Sequence, residues 1–172
     1  MSKLTWPEIV VVTVLGTGFS PVAPATVASA VTCVILWFIP ALLRWPWALL
    51  VIPVTLLGVW WSQRAIITFD PQEPGRFRKL RRPSPKKEDP DQVVFDEFAG
   101  QWITLLAVPH TLLGFVLAFL VFRFLDIVKP LGIRATQRYK DGWGVMLDDV
   151  VAGVYGAVPL FLTFRIGPLL FT

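Results

Sequence analysis

Cysteine and histidine are almost missing from this sequence, which contains one of each in 172 residues, Cys33 and His110. A single cysteine excludes a disulfide framework, and one cysteine with one histidine excludes the usual zinc sites. Charged residues are also few, at 16% of the chain, whereas 55% of the residues are hydrophobic. A soluble domain of this length could not bury so much apolar surface, so the composition indicates a protein of the lipid bilayer.

Long runs without any charge supply the candidate membrane segments. Three of them reach the length of about 18 residues that is typical of a spanning helix: Ile9–Leu43, Trp45–Gln63 and Phe98–Phe122. The first run is interrupted by glycines and prolines between residues 16 and 24, which argues against a cleavable signal peptide. We therefore expect the N-terminal segment to be retained.

Positive charge is concentrated in one segment between these runs. Seven of the sixteen basic residues lie between Arg76 and Lys87, and they account for much of the net charge of +4. Such clusters in membrane proteins stay on the cytoplasmic side and attract anionic headgroups, so the charge does not indicate a nucleic-acid partner. We expect a multi-pass membrane protein with residues 70–92 as a basic cytoplasmic loop.

The pattern predicts one domain over residues 1–172, an all-α polytopic membrane protein with about four to six helices. Its predicted parts are an interfacial helix within 1–15, a loop over 16–26, helices over 27–43, 47–68 and 145–164, and a helical segment over 98–122. Thr26 is predicted to cap the helix that follows it.

The segment 98–122 fits either one kinked span or a short hairpin, because Pro109 and His110 lie in its middle. A single helix would separate Glu97 from Asp126 by about 40 Å and would place one of two basic segments outside the cell. The hairpin keeps both basic segments inside. We therefore predict a hairpin with arms that are short for the bilayer.

Five acidic residues stand where apolar helices meet the expected cytoplasmic face. They are Asp96, Glu97, Asp126, Asp148 and Asp149. Acids in such positions are costly unless they are paired or functional, and oxygen ligands without a cysteine or histidine pair favour Mg²⁺, with Mn²⁺ as an alternative. Helix capping could explain Asp96 and Asp148 in first turns, but it does not explain Asp126, since the end of a helix disfavours an anion. Salt bridges to Arg123 and Lys129 are the other alternative, and they could coexist with metal binding.

Two cations accompany the acids. Arg123 and Lys129 lie three residues on either side of Asp126, hence on one helix face, and both side chains are suited to binding phosphate. The loop Gly16–Pro21 lacks a nucleotide-binding signature, yet its backbone N–H groups could bind an anion. Thr17, Ser20 and Thr26 are further phosphate-binding candidates, although a turn between helices fits these residues equally well.

The remaining nucleophiles do not fit a phosphatase mechanism. Cys33 lies in an apolar run without a following Cys-x5-Arg loop, and His110 lies at the far end of the predicted hairpin. No Asp-x-Asp-x-Thr pattern is present in the sequence. A metal-activated water or one of the clustered carboxylates is left as the attacking group.

Four motifs in order resemble the phosphatidylglycerophosphatase A family. They are Gly16–Pro21 with Pro24 and Thr26, Val94–Gly100, Phe122–Pro130, and Gly142–Asp149 with Ala152 and Gly153. The resemblance implies an integral membrane enzyme of phospholipid biosynthesis that converts phosphatidylglycerophosphate to phosphatidylglycerol and phosphate with magnesium. It also implies functional roles for the five acids named above and for Arg123 and Lys129.

Two other functions remain as alternatives. A CDP-alcohol phosphatidyltransferase also uses clustered aspartates in membrane helices, but its Asp-Gly-x-x-Ala-Arg element is absent from this sequence. A cation channel or carrier would place its acids near the middle of several spans, whereas here they lie at helix ends beside arginine and lysine.

Overall fold

The computed structural model describes residues 2–69, 92–130, 132–136, 139 and 141–166. Within them every regular element is helical, which confirms the all-α prediction for this part of the chain. The helices are α1 Trp6–Val12, α2 Pro24–Phe38, α3 Val51–Thr68, α4 Phe95–Leu105, α5 Leu112–Val128, the single turn α6 Ile133–Thr136, and α7 Asp141–Phe161. A π-helical segment, Leu162–Ile166, continues α7. Most of the predicted basic loop, residues 70–91, lies outside the described residues.

Two of these helices are long and apolar enough to cross a membrane. Trp47–Thr68 has 22 residues, with a short 3-10 turn leading into α3, and it coincides with the predicted span over 47–68. Gly142–Arg165 has 24 residues and corresponds to α7 with its π-helical extension. The apolar helix α2 is shorter, with 15 residues.

The starts of α2 and α7 differ from the predicted ones. α2 begins at Pro24 with Ala23 as its N-cap, so the prediction that Thr26 caps this helix is wrong. Proline favours the first position of a helix because its fixed φ is already helical and its missing N–H would have no partner there. α7 begins at Asp141, so Asp148 lies seven residues inside the helix and its interpretation as a first-turn cap is also wrong.

Helices α4 and α5 form the predicted hairpin. α4 ends at Leu105 and α5 begins at Leu112, where the Thr111 side chain accepts a hydrogen bond from the backbone N–H of Gly114 at 3.2 Å. At about 1.5 Å per residue, the 11 residues of α4 and the 17 of α5 span roughly 16 and 25 Å, so both arms are short for a bilayer. His110 lies at the tip of the hairpin, stacked on Trp37 with 4.6 Å between ring centroids.

α7 occupies the centre of the bundle and packs against α3, α4 and α5. Its contact with α4 depends on glycine, because a Cβ at Gly153 would lie 2.5 Å from the carbonyl oxygen of Gly100. Thr104 joins the same two helices, since its hydroxyl reaches the Gly100 carbonyl at 3.0 Å and the Gly153 carbonyl at 3.2 Å. Small residues that allow backbones to touch, with a hydroxyl bridging them, are typical of helix packing in membranes.

The exterior of the bundle is more apolar than that of a water-soluble domain. Large apolar side chains cover the outside of the bundle, among them Phe38, Leu112 and Ile127, which are 78%, 71% and 69% exposed. Ser29, Thr32, Ser62, Gln101 and Thr104 are fully buried. The interior is mainly apolar and also contains these polar groups, but an exterior covered by large apolar side chains is the distribution that a bilayer favours and that water opposes.

One ion pair anchors the N-terminal segment to α3. Glu8 forms a capping box with Thr5 at the start of α1 and also pairs with Arg64, which donates a hydrogen bond to the carbonyl of Lys3 at 2.9 Å. Hydrogen bonds from Thr5 and the contact with Arg64 lower the pKa of Glu8 to about 2. The charge of Arg64 at the end of an otherwise apolar span is thus compensated by α1.

Candidate active site

Three helices bring the five predicted acids together at one end of the bundle. Asp96 and Glu97 lie in the first turn of α4, Asp126 lies in the last turn of α5, and Asp148 and Asp149 lie on α7. All five are buried, with no more than 9% of any residue exposed.

A close helix contact explains why the acids of α4 and α7 meet. A Cβ at Gly100 would lie 2.5 Å from the carbonyl oxygen of Asp149, so the backbones touch at this point. Asp96 and Glu97 precede Gly100 by about one turn and therefore lie beside Asp149. The sequence Asp-Glu-x-x-Gly on α4 thus combines two acids with the small residue that lets them approach the third.

Asp96, Glu97 and Asp149 form a group that fits a divalent cation. Each offers a carboxylate oxygen, and these oxygens all lie within 4.8 Å of one another. Around Mg²⁺ with ligands at about 2.1 Å, neighbouring ligands are about 3.0 Å apart and opposite ones about 4.2 Å, so side-chain rotations that bring the three oxygens closer would place them on one ion. Glu97 Oε2 and Asp149 Oδ2 are buried and have no hydrogen-bond partner among the described residues, as expected for atoms that face an ion or substrate.

The other two acids are engaged by the cations. Arg123 Nη1 donates to Asp126 Oδ2 at 2.6 Å, and Lys129 Nζ donates to Asp148 Oδ2 at 2.6 Å. Lys129 Nζ also lies 3.4 Å from Asp126 Oδ1 and 4.0 Å from Asp149 Oδ1. The site therefore has two parts, the group of Asp96, Glu97 and Asp149 at one side and the ion pairs of Arg123 with Asp126 and of Lys129 with Asp148 at the other, and Lys129 lies between them.

The backbone places Lys129 in this position. It is the C-cap of α5 and has φ 47° and ψ 57°, a left-handed conformation that is costly for a side chain other than glycine or asparagine. Such strain persists only where surrounding contacts hold it, and here those contacts are the three carboxylates. Burial lowers the pKa of Lys129, but Asp149, Asp148 and Asp126 outweigh this effect and raise the pKa above its usual value. The amine is therefore charged at neutral pH.

Gln101 is a polar residue of the site region that the sequence argument missed. It follows Glu97 by four residues, one helical turn, and it is fully buried. Neither its amide nitrogen nor its amide oxygen has a partner among the described residues, and the same is true of Arg123 Nε. One sequence pattern could have identified Gln101: it is an amide side chain in an otherwise apolar helix, four residues after an acid. Such a group is costly to bury without a hydrogen-bond partner or a ligand.

The remaining predicted residues lie around this centre or away from it. Thr17 Oγ1 donates to the carbonyl of Thr13 at 2.9 Å, and Ser20 Oγ donates to that of Val22 at 2.9 Å. Thr26 is half-buried in the first turn of α2. Their roles in phosphate binding stay predictions. Cys33 lies on α2 and His110 at the hairpin tip, and neither belongs to the acidic group.

The fold and the site together define a class of protein. The bundle is helical and apolar on its outside, and it holds a buried carboxylate group that could bind a metal ion, adjacent to an arginine and a lysine that are suited to phosphate. This combination is typical of metal-assisted phosphoryl chemistry on an amphipathic substrate.

Comparisons with known proteins agree with this class. The sequence model of the family described as phosphatidylglycerophosphatase A matches residues 10–78 and 82–164. A protein of Bacteroides thetaiotaomicron, described as "Putative phosphatidylinositol-3-phosphatase", is 38% identical over 167 residues, which cover 92% of this chain and 94% of that protein. The phosphatidylglycerophosphatase A of Escherichia coli is 31% identical over 170 residues, which cover 97% of this chain and 89% of that protein.

A further relative, the phosphatidylglycerophosphatase A of Haemophilus influenzae, is 41% identical over 75 residues, or 42% of this chain and 46% of that protein. No solved structure matches the chain. Because the family model covers most of the sequence, the chain belongs to the phosphatidylglycerophosphatase A family, a family of lipid phosphatases. The resemblance inferred from the four motifs is thereby confirmed.

Proposed function

We propose that this chain hydrolyses the phosphomonoester of phosphatidylglycerophosphate to give phosphatidylglycerol and inorganic phosphate, as a magnesium-dependent step of phospholipid biosynthesis. The observation that carries the proposal is the convergence of five buried carboxylates with Arg123 and Lys129 in an apolar bundle. The matching names of the Escherichia coli and Haemophilus influenzae relatives support this choice of substrate.

The two parts of the site suggest a division of roles. Asp96, Glu97 and Asp149 would hold Mg²⁺, which would neutralise the negative charge that develops on the phosphoryl group. Arg123 and Lys129 bind the phosphate oxygens, while Asp126 and Asp148 orient these cations through the observed ion pairs. The predicted role of Asp126 and Asp148 as metal ligands stays a prediction, and their ion pairs favour the positioning role.

The unpartnered carboxylate oxygens identify the candidate base. Glu97 Oε2 and Asp149 Oδ2 are buried and accept no hydrogen bond from the described residues, so either can take a proton from a water that attacks phosphorus. The bond from phosphorus to the ester oxygen then breaks, and that oxygen takes the proton back from the carboxylic acid, so phosphatidylglycerol leaves as the alcohol and inorganic phosphate is released. Thr17, Ser20 and Thr26 would add polar contacts to the phosphate if the loop turns its hydroxyls toward it.

Location at a membrane follows from the apolar exterior of the bundle and from the two helices long enough to span it. We place the protein in the bacterial inner membrane with several passes and the acidic end at the cytoplasmic face, because the basic segment before α4 leads directly into that end. The partners are then the bilayer and a phospholipid substrate.

A second candidate substrate is a phosphoinositide that carries a phosphomonoester on its inositol ring. The Bacteroides thetaiotaomicron relative, described as a phosphatidylinositol-3-phosphatase, favours it. Both lipids present a phosphomonoester on a polyol headgroup, so the same carboxylates and cations could act on either.

The decisive experiment measures phosphate release by the purified protein in detergent. The substrates are phosphatidylglycerophosphate, phosphatidylinositol 3-phosphate and phosphatidic acid, each with a magnesium titration. We expect preference for phosphatidylglycerophosphate and no turnover in excess chelator. Full activity in chelator would overturn the metal proposal, and release of CMP from a CDP-lipid without phosphate release would favour the transferase alternative.

Two variants separate the parts of the site. Asp149→Asn removes a proposed metal ligand and should lower turnover on the order of a thousandfold while raising the magnesium concentration required. Asp126→Asn loosens Arg123 and should lower turnover at unchanged magnesium dependence. Cys33→Ser and His110→Ala are the controls, and both should keep turnover close to that of the wild type.

A further inference from the structure

An open apolar groove lies on the surface of the bundle between α5 and α7. Its volume is about 680 Å³, and its walls are almost entirely apolar. The lining side chains include Leu120, Val121, Phe124 and Leu125 from α5 and Tyr155 and Val158 from α7. The size is within the range of about 300–1,000 Å³ that is typical of ligand sites.

The groove arises from a local feature of the α5–α7 contact. Gly156 carries no side chain, and a Cβ there would lie 3.2 Å from Val121, so the two helices approach closely along this line. Leu120, Phe124 and Val158 stand on either side of it and are more than half exposed. Pro159 follows inside α7, where it removes a backbone donor from the helix just before the π-helical segment.

The groove lies near the candidate active site along both of its helices. On α5, Leu125 directly precedes Asp126. On α7, Tyr155 follows Asp148 by seven residues, close to two turns, so the two residues share a face and are about 10 Å apart along the helix axis. The groove therefore begins within about 10 Å of the acidic end and runs along the helices away from it.

We propose that this groove binds one acyl chain of the phospholipid substrate while its phosphomonoester is held by the acidic site. This inference rests on the proposed function, because it needs a substrate with a polar phosphate at one end and an apolar chain at the other. The polar headgroup spans the distance between the carboxylates and the near end of the groove, and the acyl chain lies along the apolar walls of the groove. Such anchoring positions the phosphate without adding a charged contact.

The test fills the groove and compares substrates that differ only in their chains. Val158→Trp places a large ring between its walls, and Leu56→Trp is the matched control, because Leu56 is an exposed residue of α3 that does not line the groove. We expect Val158→Trp to lower kcat/KM for dipalmitoyl phosphatidylglycerophosphate by about tenfold or more, as for a misplaced substrate. The dibutanoyl substrate should be hydrolysed at the wild-type rate by both variants. An equal loss on both substrates, or no loss on either, would overturn the proposal.

A second measurement does not depend on turnover. Phosphatidylglycerol with a photoactivatable diazirine in one acyl chain is incorporated into the detergent micelles, and the labelled peptides are mapped. We expect labelling concentrated on α5 and α7 and reduced by Val158→Trp but not by Leu56→Trp. Uniform labelling of all exposed helices would show ordinary lipid contact and would overturn the proposal.

The same samples distinguish the other outcomes. If Val158→Trp changes the oligomeric state measured by light scattering and leaves labelling unchanged, the groove is an interface between two copies and the proposal fails. If the wild type releases no phosphate from the acylated lipid, the proposed hydrolysis fails, while the labelling pattern still decides whether the groove holds an acyl chain.

Discussion

Lys129 is the residue on which the charge balance of the site depends. It contacts Asp148 at 2.6 Å, Asp126 at 3.4 Å and Asp149 at 4.0 Å, and its raised pKa keeps it protonated at neutral pH. With Arg123 it opposes five buried carboxylates. Losing it would leave Asp148 without this amine in a region of low dielectric constant, where an uncompensated charge is costly.

We predict that Lys129→Gln lowers both stability and activity. The loss of a partly buried cation among three carboxylates should reduce the free energy of unfolding by roughly 2 kcal/mol and turnover by at least about a hundredfold. Thermal unfolding in detergent and phosphate release measure the two effects. Lys3→Gln, a change at an exposed lysine of the N-terminal segment, is the control. Wild-type stability and turnover in Lys129→Gln would contradict the assigned role.

The acids of the site could be predicted from the sequence because each lies in or beside an apolar helix, where a charged side chain is costly unless it is paired or functional. The way in which they pair could not be predicted. Which carboxylate meets Lys129 depends on the distance between α5 and α7, and this distance is set by glycine contacts along the whole bundle. Gln101 was missed for the same reason, since burial of its amide depends on neighbouring helices.

At the scale of helices, the α4–α7 contact determines the geometry of the site. Gly100 and Gly153 let the backbones touch, and the acids lie about one turn before these glycines on each helix, Asp96 and Glu97 on α4 and Asp149 on α7. A change in this spacing therefore moves two sets of carboxylates apart. Metal binding requires oxygens within a few tenths of an ångström of their positions, so the contact should control activity as well as stability.

We predict that Gly153→Ala impairs the enzyme far more than Gly156→Ala does. The new Cβ at position 153 would lie 2.5 Å from the backbone oxygen of Gly100, whereas at position 156 its nearest neighbours are side-chain carbons at 3.2 and 3.3 Å. Gly153→Ala should cost about 1–3 kcal/mol of stability and raise the magnesium requirement. Both variants gain the same helix propensity, so the comparison isolates the backbone contact. Equal thermal stabilities and magnesium titrations for the two variants would refute this explanation.

Helix boundaries followed from the sequence where local signals dominate. The span predicted over 47–68 is confirmed, because its apolar run is long enough to form a membrane-crossing helix by itself. The start of α7 was predicted too late, because Gly142 and Gly144 are poor helix formers. In the structure a Cβ at Gly142 would lie 1.9 Å from the carbonyl oxygen of Val59, so packing on α3 requires this glycine and outweighs its low propensity.

At the scale of the molecule, the hairpin of α4 and α5 decides where the site lies. Its short arms place Asp96, Glu97 and Asp126 at the same end, and α7 supplies Asp148 and Asp149 about two turns after its start. The turn between α2 and α3 lies toward the opposite end, because the Trp102 ring near the end of α4 donates to the Leu42 carbonyl at 3.3 Å. The sequence predicts the orientation of the bundle through the distribution of its basic residues, because the end that carries more lysine and arginine stays in the cytoplasm.

Orientation can be measured with single cysteines in a Cys33→Ser background. We predict that Ser84→Cys in the basic segment and Tyr139→Cys before α7 both face the cytoplasm, because each lies beside basic residues that stay inside. An impermeant thiol reagent should modify neither in intact cells and both after permeabilisation. Arg44→Cys, in the exposed turn between α2 and α3, is the positive control and should react in intact cells. If the reagent modifies Ser84→Cys but not Tyr139→Cys in intact cells, or the reverse, then α4 and α5 do not return the chain to the same side and the proposed cytoplasmic site is wrong.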